Sequence, residues 1–312
     1  MRETSLLAPG ADATREAAIQ QAHRGALVRR GLAGTVATVV GLVIFIGVTF
    51  PNLWLLNTSF KADDAVWAVP PQYIPAKPTL EKYIQLLTPG AVNRTRELQF
   101  WYLYVMNSIY VAAIPAVLAT IIGTLAGYGF ARFAFPGAMA MLTLLLVGQM
   151  FPGPSLFVPI YFLVNRLNLQ DSLWALILIY TAFHIPVATW LATGFIRTIP
   201  IELEDSARID GCSLPQVMWY ITLPLAKTGI VTIAILGFMA FWGEYGFASI
   251  ILETQSKYTA SVGLVRQMTE INVAYNMIGA ASVMMGLPLI IVLMLMQRQF
   301  VRGLTAGALK DA

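Results

Sequence analysis

The stretch Glu204-Asp205-Ser206-Ala207-Arg208-Ile209-Asp210-Gly211 places three carboxylates and a guanidinium within seven residues, and the next charged side chain is Lys227. Charge at this spacing suits ion pairs with a docked protein, or a solvated loop. It does not suit hydrolysis. The two histidines, His23 and His184, are both remote in sequence, and no serine–histidine or paired-aspartate arrangement occurs. The single cysteine, Cys212, excludes an internal disulfide and a cysteine-cluster metal site. No Gly-x-x-x-x-Gly-Lys-Ser/Thr loop is present to cradle a nucleotide. No catalytic residue, bound metal or cofactor is therefore expected in this chain.

Other polar groups lie inside apolar runs. Gln149 stands in Gly148-Gln149-Met150-Phe151-Pro152-Gly153-Pro154, and Glu244 and Tyr245 stand in Phe241-Trp242-Gly243-Glu244-Tyr245-Gly246-Phe247. A carboxylate or amide dipole at membrane depth is costly, so each faces a cavity or a neighbouring helix. Flanking aromatics suit stacking on a sugar ring, and they suit helix packing equally. Gln149, Glu244 and Tyr245 are the candidates for a substrate path. His184, two residues before Pro186, is expected to bond the carbonyl that the proline leaves free.

These groups must be held by membrane helices. The chain is 57% hydrophobic and 12% charged, with a mean hydropathy of +0.69, and a bilayer core about 30 Å thick needs roughly 20 apolar residues per helix. Six segments qualify: Leu32–Leu56, Val105–Phe130, Ala138–Leu163, Leu173–Phe195, Gly229–Leu252 and Met277–Met296. The fold class is all-α and polytopic. Lys and Arg set the orientation. With the N-terminus inside, twelve cations lie on the cytoplasmic side, among them Arg24, Arg29, Arg30, Arg132, Arg197, Arg208, Lys227, Arg298 and Arg302, against eight outside, including Lys61, Lys82, Arg94, Arg96 and Lys257. Both termini and the charged stretch are then cytoplasmic. The net charge of +4 comes from cations near segment ends, which excludes nucleic acid as a partner.

The expected organisation is a cytoplasmic tail at 1–31 and a transmembrane domain at 32–312, with an extracytoplasmic loop at 57–103 and a charged cytoplasmic loop at 197–228. Within the tail, Asp12 to Arg30 reads either as an amphipathic surface helix or as a disordered segment. The outer loop carries Pro70, Pro71, Pro75 and Pro78 and ends in Phe100-Trp101-Tyr102. Its length predicts a small cap that a soluble partner could touch. In the charged loop, Pro200 opens a short helix, Gly211 permits a left-handed turn, and Ser213 caps a second helix with Pro215 in its first turn. Pro224 ends or kinks that second helix before the fifth span.

Residues 204–212, followed by Ile221-Thr222-Leu223-Pro224-Leu225, resemble the EAA loop of binding-protein-dependent ABC importer permeases. Asp205-Ser206-Ala207 occupy the Glu-Ala-Ala positions, Asp210-Gly211 the Asp-Gly, and Leu223-Pro224 the Leu-Pro. Asp205 and Ser206 depart from the pattern, as does Thr228, where a second proline is common. Ala131-Arg132-Phe133-Ala134-Phe135-Pro136-Gly137, Asn107-Ser108, Ser256-Lys257-Tyr258-Thr259 and Arg302–Lys310 resemble the carbohydrate, maltose-type second permease.

The resemblance implies an ATPase-coupling helix comprising Glu204, Asp205, Ser206, Ala207, Asp210 and Gly211, with Asp205 facing a cation on the ATPase. It implies a second homologous permease, two ABC ATPase subunits that hold ATP and Mg, an extracytoplasmic substrate-binding protein and a sugar substrate. The location implied is a bacterial or archaeal inner membrane, in contact with lipid. The same machinery carrying another solute, such as glycerol phosphate or an amino acid, is the alternative within transport. An ion-driven transporter would show inverted repeats and paired broken spans.

Overall fold

A computed structural model describes the backbone at residues 11–88, 98–268 and 273–308, and side chains at 34–88, 98–268 and 273–294. Arg94 and Arg96, residues 1–10, the side chains of the rest of the N-terminal tail and those of the C-terminal tail motif lie outside these ranges. Among the described residues the secondary structure is helical, without strands.

Residues up to Leu56 form one unit and Asn57 onward another. The first unit is built on α1 (Ala11–Ser59), so the expected boundary at residue 31 falls inside a continuous helix. Its stretch Gly34–Ser59 is long and apolar enough to cross a membrane.

The second unit continues through the short helices α2 (Asp63–Val66) and α3 (Glu81–Leu87) of the cap loop, then α4 (Trp101–Arg132), α5 (Ala138–Val147), α6 (Phe157–Arg166) and α7 (Leu173–Arg197). After these come α8 (Ile201–Ile209), α9 (Leu214–Val217), α10 (Leu223–Trp242), α11 (Gly246–Ile251), α12 (Ala260–Met268) and α13 (Tyr275–Ala308). Five helical stretches, α1 included, could each cross a membrane, and a sixth is added if the bent pair 138–150 and 153–166 counts as one span.

The core of this unit is α4, α7 and α10. Small residues bring α4 and α7 together. A methyl group added at Gly123 would lie 2.5 Å from Ala188 Cβ, and one added at Gly127 would lie 2.7 Å from Ala192 Cβ. Gly-x-x-x-Gly thus meets Ala-x-x-x-Ala, which lets two backbones approach where lipid offers no hydrophobic drive. Both contacts advance in the same direction along the chain, so α4 and α7 are parallel. Helix α10 runs antiparallel to them, and its Gly237 meets the His184 ring. His184 Nε2 lies 3.2 Å from the Ile233 carbonyl of α10. The histidine therefore engages a neighbouring helix rather than the carbonyl left free by Pro186 within its own.

Two expected spans are broken. Between α5 and α6 the chain turns through 89° around Pro152, because proline supplies no N–H to continue the ladder. The expected fifth span, Gly229–Leu252, instead starts earlier and stops at Trp242, where Gly243-Glu244-Tyr245 interrupts it. Pro224 does not end the preceding helix. A π-turn at Met218–Thr222 lets Leu223 N–H reach the Met218 carbonyl, so the helix runs on through the proline.

Candidate functional site

Pro200 precedes α8, where its missing N–H is not needed, and Glu202 and Glu204 occupy the first turn, where the helix dipole favours anions. Gly211 adopts φ +90°, a left-handed conformation that costs a glycine little. The turn is closed by two hydrogen bonds, Gly211 N–H to Arg208 O at 3.1 Å and Cys212 N–H to Ala207 O at 3.0 Å. That pair is the Schellman arrangement, which satisfies the last carbonyls of the helix. Ser213 then starts α9, its backbone N–H donating to Gln216 Oε1 at 2.7 Å. The predicted first helix and turn are present, and the second helix starts at Ser213 as predicted but continues without a stop into α10.

Neighbouring acids on α8 have opposite fates, because successive helical residues point about 100° apart. The Asp205 side chain is 54% exposed and lies 3.6 Å from Arg208, itself exposed, while the Glu204 side chain is 0% exposed. Ser206 donates to Glu202 O at 2.7 Å, and Ala207 is buried beneath the helix. Asp210 and Gly211 are exposed, and Ile209, at the apex, is 86% exposed. Trp219 and Tyr220 add exposed aromatic surface after α9.

Glu204 is held by three donors. Arg132 Nε reaches Oε1 at 2.8 Å, the Thr222 hydroxyl reaches the same oxygen at 2.8 Å, and the Tyr128 hydroxyl reaches Oε2 at 3.0 Å. Arg132, with its side chain only 5% exposed, also donates to the Ile199 carbonyl at 3.0 Å. The site joins the end of α4, the knob formed by α8 and its turn, and the π-turn before α10.

Residues 119–306 match the family described as "Binding-protein-dependent transport system inner membrane component". The chain belongs to that family. It is a multi-pass inner-membrane permease, a translocation component rather than an enzyme. The permease is 31% identical over 264 residues to the galactooligosaccharides transport system permease protein GanQ of Bacillus subtilis, covering 84% of this chain and 90% of that one. It is 30% identical over 262 residues to the trehalose transport system permease protein SugB of Mycobacterium tuberculosis, covering 83% and 92%. The fold matches a bacterial ABC transporter involved in the import of the acidic polysaccharide alginate, with a TM-score of 0.72, 20% identity, and coverage of 86% and 96%.

Within the permease, the residues singled out for a substrate path cluster around the two helix breaks. Gln149 Nε2 donates to the Phe183 carbonyl of α7 at 2.9 Å. The Phe183 and Phe247 rings lie 5.5 Å apart, and Phe157 packs on Phe247 at 4.9 Å. Glu244 accepts from the Tyr180 hydroxyl and from the backbone N–H groups of Phe247 at 2.9 Å and Ala248 at 3.3 Å. The carboxylate thereby caps α11. Tyr245 is 42% exposed and leaves this cluster.

Two motifs read separately in the sequence meet at the other end of α4. Asn107 Nδ2 donates to the carbonyls of Ser256 and Tyr258 at 3.0 Å each, and Ser108 Oγ accepts from Ala260 N–H at 2.9 Å. Asp171, between α6 and α7, accepts from Lys257 Nζ at 2.8 Å and from the Glu253 and Thr254 N–H groups at 2.9 and 3.0 Å. Burial acts to raise the Asp171 pKa, but the bonds from Lys257, Thr254 and Glu253 outweigh it and hold the carboxyl well below the usual range. The Gly123/Gly127 contact and the Arg132–Glu204 pair escaped the sequence reading. Gly-x-x-x-Gly inside an apolar run signalled the first, whereas no local pattern signals a pair of charges 72 residues apart.

Proposed function

We propose that the permease belongs to an ATP-driven importer of sugars or oligosaccharides, beside a second homologous permease, two ABC ATPase subunits and an extracytoplasmic binding protein. The ATPase binds ATP and Mg. The knob is cytoplasmic, as are both termini, and six spans cross the membrane. Parallel packing of α4 and α7 supports that count, since the chain must return between Arg132 and Leu173 and the bent α5–α6 pair is what lies there. The sugar assignment draws on the relatives named for galactooligosaccharides and trehalose. The substrate passes near the Gln149, Phe183 and Phe247 cluster, and Tyr245, outside that cluster, offers an exposed ring.

One observation carries the coupling role. The stop at Gly211 and the start at Pro200 hold Asp205 and Ile209 outward on a short helix whose opposite face is buried. Such an element can seat in a groove and transmit a push. Charge reversal at Asp205, or a bulky residue at Gly211, should abolish binding-protein-stimulated ATP hydrolysis in the reconstituted transporter while leaving membrane insertion intact. Unchanged stimulation would refute the assignment.

A further inference from the structure

The acids at 204 and 205 differ in role as well as in exposure. We propose that Glu204 is a positioning residue, which with Arg132 forms an internal latch carrying movement of the knob into α4, and that it does not touch the ATPase. This inference rests on the coupling reading above and deepens it.

The chain connects the knob directly to α7 through Ile199 and Pro200, and to α10 through α9 and the π-turn. Helix α4 ends 72 residues before Glu204 and has no such chain link, so a tie to the knob itself must be noncovalent. The latch supplies it. Tyr128 and Arg132, one turn apart on α4, both donate to Glu204, and Arg132 holds the Ile199 carbonyl at the base of the knob as well. Thr222, set by the π-turn, donates to the same carboxylate, so a single side chain gathers the knob, α4 and the root of α10.

Chemistry explains why a charged group suits this place. Burying an ion pair costs desolvation that apolar packing would avoid, so the pair adds little stability for its own sake. Apolar contact, however, allows sliding. A carboxylate held by three donors in fixed directions has one register, and displacing α8 then drags α4 with it. The Gly123/Gly127 contact passes that displacement to α7, since two backbones in direct contact cannot shift independently.

The test uses the whole transporter in proteoliposomes with its ATPase and binding protein, comparing Glu204→Gln, Arg132→Gln and the double variant. Stimulated hydrolysis should persist, while substrate taken up per ATP falls at least about fivefold in each single variant, the scale of a working coupling free energy. The double variant should lose no more than either single, because the two residues act as one unit. A nitroxide on Cys212, the sole cysteine of the chain, should gain mobility in the Glu204 variant over wild type. If either single variant fails to insert, Glu204→Leu combined with Arg132→Leu replaces it, as that pair leaves no uncompensated buried charge. Uptake per ATP within about twofold of wild type, or losses that add, would overturn the latch. If Asp205→Arg left stimulation unchanged in the same assay, the coupling reading itself would fail, whatever the Glu204 variants did.

Discussion

Glu204 and Glu244 lie near opposite ends of α10, and both are carboxylates in an apolar chain, yet they are stabilised in different ways. Glu244 is held by the Tyr180 hydroxyl and by two N–H groups only three and four residues ahead, so most of its environment is local. Glu204 is held by a cation and two hydroxyls drawn from α4 and the π-turn. A locally capped carboxylate ends one helix and starts the next. A carboxylate paired across elements ties parts of the chain that lie far apart in sequence. The same residue type thus makes a break at one end of α10 and a joint at the other.

The largest effect should come from the joint. Replacing Arg132 with Met keeps the apolar stem but leaves Glu204 buried without its cation, which should destabilise the permease by about 3–5 kcal/mol. Thermal unfolding in detergent would show it, and a loss under about 1 kcal/mol would mean that water or another cation reaches Glu204. Tyr180→Phe should cost less, about 1–2 kcal/mol, because Glu244 keeps its two backbone donors. A loss as large as that of the Arg132 variant would erase the distinction between break and joint.

The smallest effect belongs to Asp171, whose ion pair with Lys257 is partly exposed. Asp171→Asn should cost under about 1 kcal/mol at neutral pH. Because the folded carboxyl titrates below its unfolded value, its contribution is present above the unfolded pKa of about 3.9 and is lost as pH falls below that. The gap in melting temperature between wild type and Asp171→Asn should therefore close on acidification, and a gap that widened would reverse the sign assigned here.

Much of this architecture was readable in advance. The apolar runs marked the membrane helices. Pro200, Gly211 and Ser213 marked the limits of the knob, since each acts through its own backbone. Span ends were less readable. Trp242-Gly243-Glu244 sits inside a hydrophobic window, and no local hydropathy signal marks the helix end that Glu244 caps there. Glu204 was grouped with its exposed neighbours because helical spacing alone does not say which face another helix will cover.

From its sequence alone the protein had its membrane helices and the local turns of the knob, because these follow from hydrophobic length and backbone preferences acting over a few residues. Tertiary structure alone decided that Asn107 would meet Ser256, that Gly127 would admit Ala192, and that Arg132 would neutralise Glu204. Those outcomes depend on which helix faces lie against one another. Packing sets that relation across the whole fold, and no short stretch of residues contains it.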